Sequence, residues 1–333
     1  MENKRNALVD AARVAAAVGI ILSHVDMAGY GAAGILLGQF LSVRFSLMFF
    51  LAVIGFYVEK SCQAGKNPII KRVCSLARSY GVWSGVYLAL SFVMVVLIQK
   101  EPLGQFLISK VKSLFFSGSY YHFWFYPAVI YGLLFIGGMK KLLGGRAIRF
   151  LLPLAALLYA VGLLGTGYLP IGQQIPGLRS LYGMETFNDM MHLFFLGFPA
   201  VVFGMAAAQK DRRCNGFVLL AAAAAYLAES MILCLHLGWR ENPQMLISTP
   251  LLTAAFLHWA QNSSLAAGKV NHALCRVVSA GMYNVHPLFL AVFAVILPGL
   301  DGLGAFALCV LCSVCFGWAL YCLRNVRFFA LFV

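Results

Sequence analysis

The sequence predicts an all-α fold: a polytopic integral membrane bundle of about ten transmembrane helices. Three observations carry this. Hydrophobic residues make up 62% of the 333 residues and charged residues only 11%. A soluble domain runs near a quarter charged, so most of this surface cannot face water. Apolar windows of the length that crosses a ~30 Å hydrocarbon core, about 20 residues, recur along the whole chain. Lys and Arg alternate between sparse and dense from one intervening segment to the next. The same composition excludes a disordered chain, a coiled coil and a disulfide-rich secreted scaffold.

The windows place spans at roughly 7–28, 43–58, 80–99, 122–139, 149–165, 190–208, 215–236, 244–261, 277–297 and 303–323. The first carries Asp10 and Arg13 inside its apolar run and has no clear small-x-small cleavage site, so it reads as an uncleaved span. The Gly-rich stretch 31–42 is compatible with a longer second span. The fifth is short, and the ninth contains Pro287. The loops between spans are too short to fold independently, so the expectation is one transmembrane domain over 1–333 with no soluble domain.

The loops check this independently. With the amino terminus cytoplasmic, eighteen basic residues fall in inside segments and six in outside segments, and Arg13 lies within a span. That bias is the positive-inside pattern of an even number of spans with both termini cytoplasmic. It accounts for the net charge of +14 without a nucleic-acid partner. The chain is expected in the cytoplasmic (inner) membrane, with the lipid bilayer as its first partner. The nine cysteines read as small buried hydrophobes, with Cys309, Cys312 and Cys315 stepping along one helix. No phosphate loop, dinucleotide turn, HExxH or other metal-ligand set is present, and no aromatic-basic platform for nucleic acid.

Ionisable groups at membrane depth are costly and need a reason. At ~100° and ~1.5 Å per residue, Asp10, Arg13 and His24 share one narrow stripe of the first span, with His24 ~16 Å beyond Arg13. Such a stripe suits the wall of a polar cavity, and a histidine is the natural general base near neutral pH. The plainer alternative is an Asp10–Arg13 ion pair and an interhelical hydrogen bond from His24. Further candidates are His122 and Trp124 at the outer start of the fourth span, and His286 beside Pro287. Glu229 in mid-span and Asn188, Asp189 and His192 at the outer mouth complete the set. His236, His258 and His272 read as incidental.

Several segments together resemble one family. Arg13-x10-His24 within "LVDAARVAAAVGIILSH" resembles the first helix of the membrane acyltransferase-3 family. "RFSLMFFLAVIGFYV" (44–58) is similar to its second helix, and "YYHFWFYPAVIYGLLF" (120–135) to its His-x-Trp-Phe-x-Pro segment. "FFLGFPAVVFGM" (194–205) resembles its Gly-Phe-Pro helix, and "MYNVHPLFL" (282–290) its Tyr-x-x-His-Pro element. The five are collinear from residue 8 to about 290. The run containing Tyr80, Trp83 and Tyr87 resembles the branch with the membrane domains of glycopeptide-resistance serine racemases.

The resemblance implies transfer of an acyl group, usually acetyl from cytoplasmic acyl-CoA, to a hydroxyl of an extracytoplasmic glycan or lipid-linked sugar. It implies His24 as catalytic base with Arg13 as its paired arginine; His24 as a transient acyl carrier is the other role open to it, and Asp10, one turn from Arg13, joins the pair by its position. It implies acyl-CoA as co-substrate, and the residues themselves offer no metal-ligand set. His122, Trp124, Glu229, His286, Asn188 and Asp189 stand as acceptor-side candidates. The family's CoA-gripping Arg-x-x-Arg is altered here: Arg72 is followed by Ser75, and the next arginine is Arg78. Lys71, Arg72 and Arg78 are the remaining phosphate-binding candidates, and Ile54 replaces a serine before Gly55. The alternative functions are a transporter or flippase for a small polar solute such as serine, and a non-catalytic membrane partner of a polysaccharide assembly complex.

Overall fold

A computed structural model describes residues 6–184, 187, 190–209, 214–239, 244–263 and 270–332. These form a helical bundle with no strand among the described residues. Eleven longer helices dominate: α1 (Ala7–Ser23), α2 (Val43–Gln63), α3 (Ile69–Phe92), α4 (Leu103–Phe116), α5 (Phe125–Leu143) and α6 (Ala147–Leu164), then α7 (Phe198–Gln209), α8 (Gly216–Met231), α9 (Ser248–Asn262), α10 (His272–Ile296) and α11 (Gly302–Leu323).

Seven helical stretches are long and apolar enough to cross a membrane: Ala28–Gln63, Ile69–Ile98, Phe125–Leu164, Met191–Gln209, Gly216–His236, His272–Ile296 and Gly302–Leu323. The difference from the ten expected windows has two causes. Helices α1 and α9, with 17 and 15 residues, rise only ~25 and ~22 Å, short of the hydrocarbon thickness. The stretch Phe125–Leu164 holds two windows, α5 and α6, separated where Gly144 takes a positive φ of 56°.

The centre of the bundle is α2 against α7. Buried residues fill 67% of the apolar window ending in α2 and 78% of that ending in α7, against 22% for the windows of α8 and α11. The close approach depends on two glycines. A Cβ on Gly55 would fall on the Val201 carbonyl, and one on Gly204 on the Ala52 carbonyl, so the two backbones touch directly. Helix α1 lies between α2 and α10, and α10 pairs with α11 along its length. Asn6 caps α1 by accepting from Val9 N–H at 3.2 Å, and its amide donates to the Ala260 carbonyl at 2.5 Å. At the same end the buried Glu59 carboxylate joins three helices, accepting from Lys140 Nζ at 2.5 Å and Gln209 Nε2 at 3.2 Å.

Two expectations change. The segment after α3, taken from its lysines as an outside loop, contains the amphipathic helix α4. Phe106 is its buried anchor, while Leu107, Ile108, Val111 and Phe115 face outward. Of the cysteines only Cys234 and Cys309 are buried, whereas Cys74, Cys315 and Cys322 point away from the bundle. In a chain whose outer surface is apolar, an apolar run does not distinguish the inside of the protein from its periphery.

Candidate functional site

Helix α1 ends at Ser23, and His24 caps it with its backbone N–H on the Ile21 carbonyl at 3.1 Å. Ending the helix there lets the His24 residue reach the bundle's surface while its ring packs against neighbouring rings. It lines a chamber of about 360 Å³ together with Gln39, Arg44, Tyr121, His122, Trp124, His192 and Tyr283. The His24 ring stacks on His286 with centroids 5.1 Å apart and lies 5.0 Å from Tyr121. His122 stands edge-on to His286 at 5.3 Å. Three imidazoles from separate parts of the chain thus meet at one place, although no set of His, Cys, Asp and Glu among the described residues is arranged to hold a metal ion.

The cluster has a defined scaffold. Proline at 287 lacks an N–H, so the Tyr283 carbonyl one turn earlier has no helical donor. His286 Nδ1 lies 3.1 Å from the Met282 carbonyl. A carbonyl only accepts, so Nδ1 carries the hydrogen and Nε2 presents a lone pair. That Nε2, like both ring nitrogens of His122, is buried without a hydrogen-bond partner. The Tyr283 hydroxyl donates to the His122 carbonyl. Tyr87 donates to the Asn284 carbonyl at 2.7 Å and Tyr126 to Asn284 Oδ1 at 2.9 Å. Tyr87 of α3 and Tyr126 of α5 therefore fix α10 next to the chamber. Trp124 stacks on His192, centroids 4.4 Å apart, across the chamber wall. His192 sits in a π-helical turn, Met191–Gly197, a distortion common where a helix serves a site.

On the other side of His24 a groove of about 670 Å³ runs past Asp26, Tyr30 and Asp301. The Tyr30 hydroxyl donates to Asp301 Oδ2 at 2.5 Å and holds that carboxyl below its ordinary range. Among the described residues, the acidic side chains around His24 lie on this face and none lines the chamber.

A second cavity, about 280 Å³, opens at the opposite, basic end of α1. It is lined by Asp10, Arg13, Tyr57, Ser61, Arg72 and Arg276, among others. Asp10 forms an ion pair with Arg13 at 3.5 Å and lies 2.8 Å from His272 Nδ1, and Arg13 lies 5.7 Å over the Tyr57 ring. Three guanidiniums with one carboxylate make this pocket net cationic, and their like charges act on one another.

These positions differ in how they meet the expected site. His24, His122, Trp124 and His286 converge as one cluster. Arg13 and Asp10 belong to the other cavity, and the cation that acts on His24 is Arg44. Arg72 enters the basic pocket, whereas Lys71 and Arg78 are exposed outside its lining. Glu229 lies outside both cavities. It accepts from Tyr168 at 2.6 Å, from the backbone N–H groups of Ile247 and Ser248 at 2.7 and 2.8 Å, and from the Ser248 hydroxyl. Asn188 and Asp189 lie outside the described residues. Arg44, Arg276, His272 and Tyr57 are absent from the sequence-derived set. A signal existed for Arg44, the opening residue of the "RFSLMFF" segment, but its charge reads as an ordinary loop cation.

A family profile described as an acyltransferase domain matches residues 6–322, nearly the whole chain. No curated protein and no solved structure matches the chain.

Proposed function

Because this chain belongs to the acyltransferase 3 family, we propose that it is an integral membrane O-acyltransferase drawing on cytoplasmic acyl-CoA, with acetyl as the transferred group. In this reading ten helices cross the inner membrane with both termini cytoplasmic. The basic pocket faces the cytoplasm, and the acceptor is a hydroxyl of an extracytoplasmic cell-envelope glycan, a polysaccharide or a lipid-linked sugar.

The carrying observation is the stripe of α1. One end supplies Arg13 to a pocket of three guanidiniums, and the other places the His24 imidazole in the wall of a polar chamber. Guanidiniums bind phosphate in a planar fork, so Arg13, Arg72 and Arg276 suit the phosphates of CoA. Arg276, from the start of α10, supplies the cation that Ser75 fails to supply. His24 takes the proton of the acceptor hydroxyl as its oxygen attacks the thioester carbonyl. The carbon–sulfur bond then breaks, the ester forms, and the proton passes from His24 to the departing thiolate.

One observation favours a second reading. The two cavities share no lining residue, as in a carrier closed between its two sides, and a small polar solute such as serine fits the chamber. Purified His24→Ala protein separates the two. Under the transferase reading it keeps its membrane level but loses acetyl transfer and acetyl-CoA hydrolysis. Full transfer by that variant removes His24 from the chemistry, while counterflow of labelled serine without any acetyl-CoA turnover supports the carrier.

A further inference from the structure

We propose that the chamber beside His24 recognises an anionic group, a carboxylate or a phosphate, on the molecule that brings the hydroxyl, with Arg44 as its counter-ion. That this molecule is an acyl acceptor rests on the transferase reading; the anion preference itself does not.

Arg44 is 8% exposed. Its Nε donates to the Gln39 carbonyl at 2.7 Å and its Nη2 to Gln39 Oε1 at 3.2 Å. Both partners are neutral and belong to one residue, held in the π-helical turn Leu36–Ser42. A guanidinium has five N–H donors in a fixed fork, so three remain for a ligand. Among the described residues no carboxylate pairs with it, and no described Asp or Glu lines the chamber. A buried cation without a counter-ion is costly and is normally paired. Here the pairing is left to whatever enters.

A second observation points the same way. The His122 ring lines the chamber at 2% exposure with both nitrogens unpartnered. One nitrogen of a neutral imidazole is always a donor, so His122 offers a hydrogen bond to the same oxyanion or to its neighbouring hydroxyl. Charge is segregated across a single ring. Arg44 stands on the chamber side of His24, and Asp26 and Asp301 on the groove side. An acceptor carrying one anionic group is therefore turned so that its charge meets Arg44 and its hydroxyl is left beside His24. A neutral polyol of the same size has no such orientation. The acceptor class is an acidic sugar, a hydroxy acid or a phosphate-bearing sugar.

The test reads the chamber's charge directly and needs no acyl transfer. Ser23 lines the chamber, and in full-length protein Ser23→Cys is labelled with a sulfonate-bearing or an ammonium-bearing methanethiosulfonate. Each rate is corrected for the parent protein and normalised to a free small thiol. The expected normalised ratio favours the sulfonate by about tenfold, the scale on which a charged cleft concentrates counter-ions. Arg44→Gln should bring the ratio to near unity, and Arg44→Lys, which keeps the charge, should preserve it. A ratio at or below unity, or one that Arg44→Gln leaves unchanged, overturns the proposal. Protection of the new thiol then identifies the anion, with glucuronate against glucose and glycerol phosphate against glycerol. Protection by the charged member of the first pair only assigns a carboxylate, and of the second only a phosphate. Equal protection by charged and neutral members, or none from either anion, also overturns it. Anion preference retained without any acetyl transfer sinks the transferase reading alone.

Discussion

Glu229 is an ionisable residue in mid-helix, the kind of group that marks a site in a membrane protein. Its geometry makes it a clamp instead, and that difference is measurable. The carboxylate gathers the Tyr168 hydroxyl at 2.6 Å and the N–H groups of Ile247 and Ser248 at 2.7 and 2.8 Å, with the Ser248 hydroxyl as a fourth donor. Ser248 opens α9, so the carboxylate also sits where the exposed N–H groups of a helix favour negative charge. A hydrogen bond to a charged group contributes ~1.5–3 kcal/mol. The four share one acceptor and do not add, so Glu229→Ala should cost about 3 kcal/mol in all. Glu229→Gln keeps one acceptor oxygen but turns an amide donor towards N–H groups, and should cost about half as much. At ~2 °C per kcal/mol for a large domain, the alanine variant should melt ~6 °C lower. Heating detergent-solubilised protein and following the monodisperse fraction measures this. Acetyl transfer by the surviving folded fraction should be close to that of the parent. An alanine variant that melts with the parent but has lost transfer would show that the carboxylate touches substrate and that the clamp argument is wrong.

Arg276→Ala should raise KM for acetyl-CoA about tenfold with little change in kcat, because it removes binding energy remote from the reacting carbonyl. With acetyl-pantetheine, which lacks the CoA phosphates, the same variant should behave as the parent; an equal loss with both donors would place Arg276 elsewhere in the reaction. Leu47, Phe50 and Ile54 lie on one stripe of α2, with Leu47 at the chamber and Ile54 at the basic pocket. Phe50→Trp should depress kcat by narrowing the route between them, while Phe50→Ala should raise acetyl-CoA hydrolysis relative to transfer by admitting water. Hydrolysis and transfer measured side by side check both, and unchanged rates in the tryptophan variant would remove Phe50 from the path.

The helices were legible because a ~20-residue apolar window is a signal of composition alone, and each of the ten windows overlaps a helical segment, although among the described residues only seven stretches are long and apolar enough to cross a membrane. Neither the break at Gly144 nor the shortness of α1 and α9 was legible, because both depend on where caps and turns fall. His24 was singled out by its spacing to Arg13, although the structure places the two in different cavities. Its neighbours were less legible. His122 and His286 are far in sequence from one another and from His24, and the packing of Tyr283 and Asn284 brings them together. Arg44 and Arg276 were counted with the loop charges, outside and inside respectively. A single sequence reports a charge near a span end without reporting whether it is buried. His272 looked incidental for the same reason, since its partner Asp10 lies 262 positions away.

The arrangement of α1 also constrains how a transferase could work. From Arg13 to His24 the helix rises ~16 Å. The pantetheine arm of CoA, about five peptide units long, spans ~16–18 Å when extended. A donor whose phosphates rest on Arg13, Arg72 and Arg276 therefore has the reach to bring its thioester to His24, with little slack. The arm must pass where the α1 stripe between the two cavities continues through Ala17 and Ile20, opposite Phe50 on α2. Ala17 presents only a methyl group to this path, and Phe50 is only partly buried. A route that a side-chain rotation opens is compatible with two cavities that do not meet at rest. It keeps water away from the thioester until donor and acceptor are both present, which a permanently open channel of the same length would not do. The separation that suggests a carrier is thus also what a transferase with donor and acceptor on opposite sides of a membrane requires.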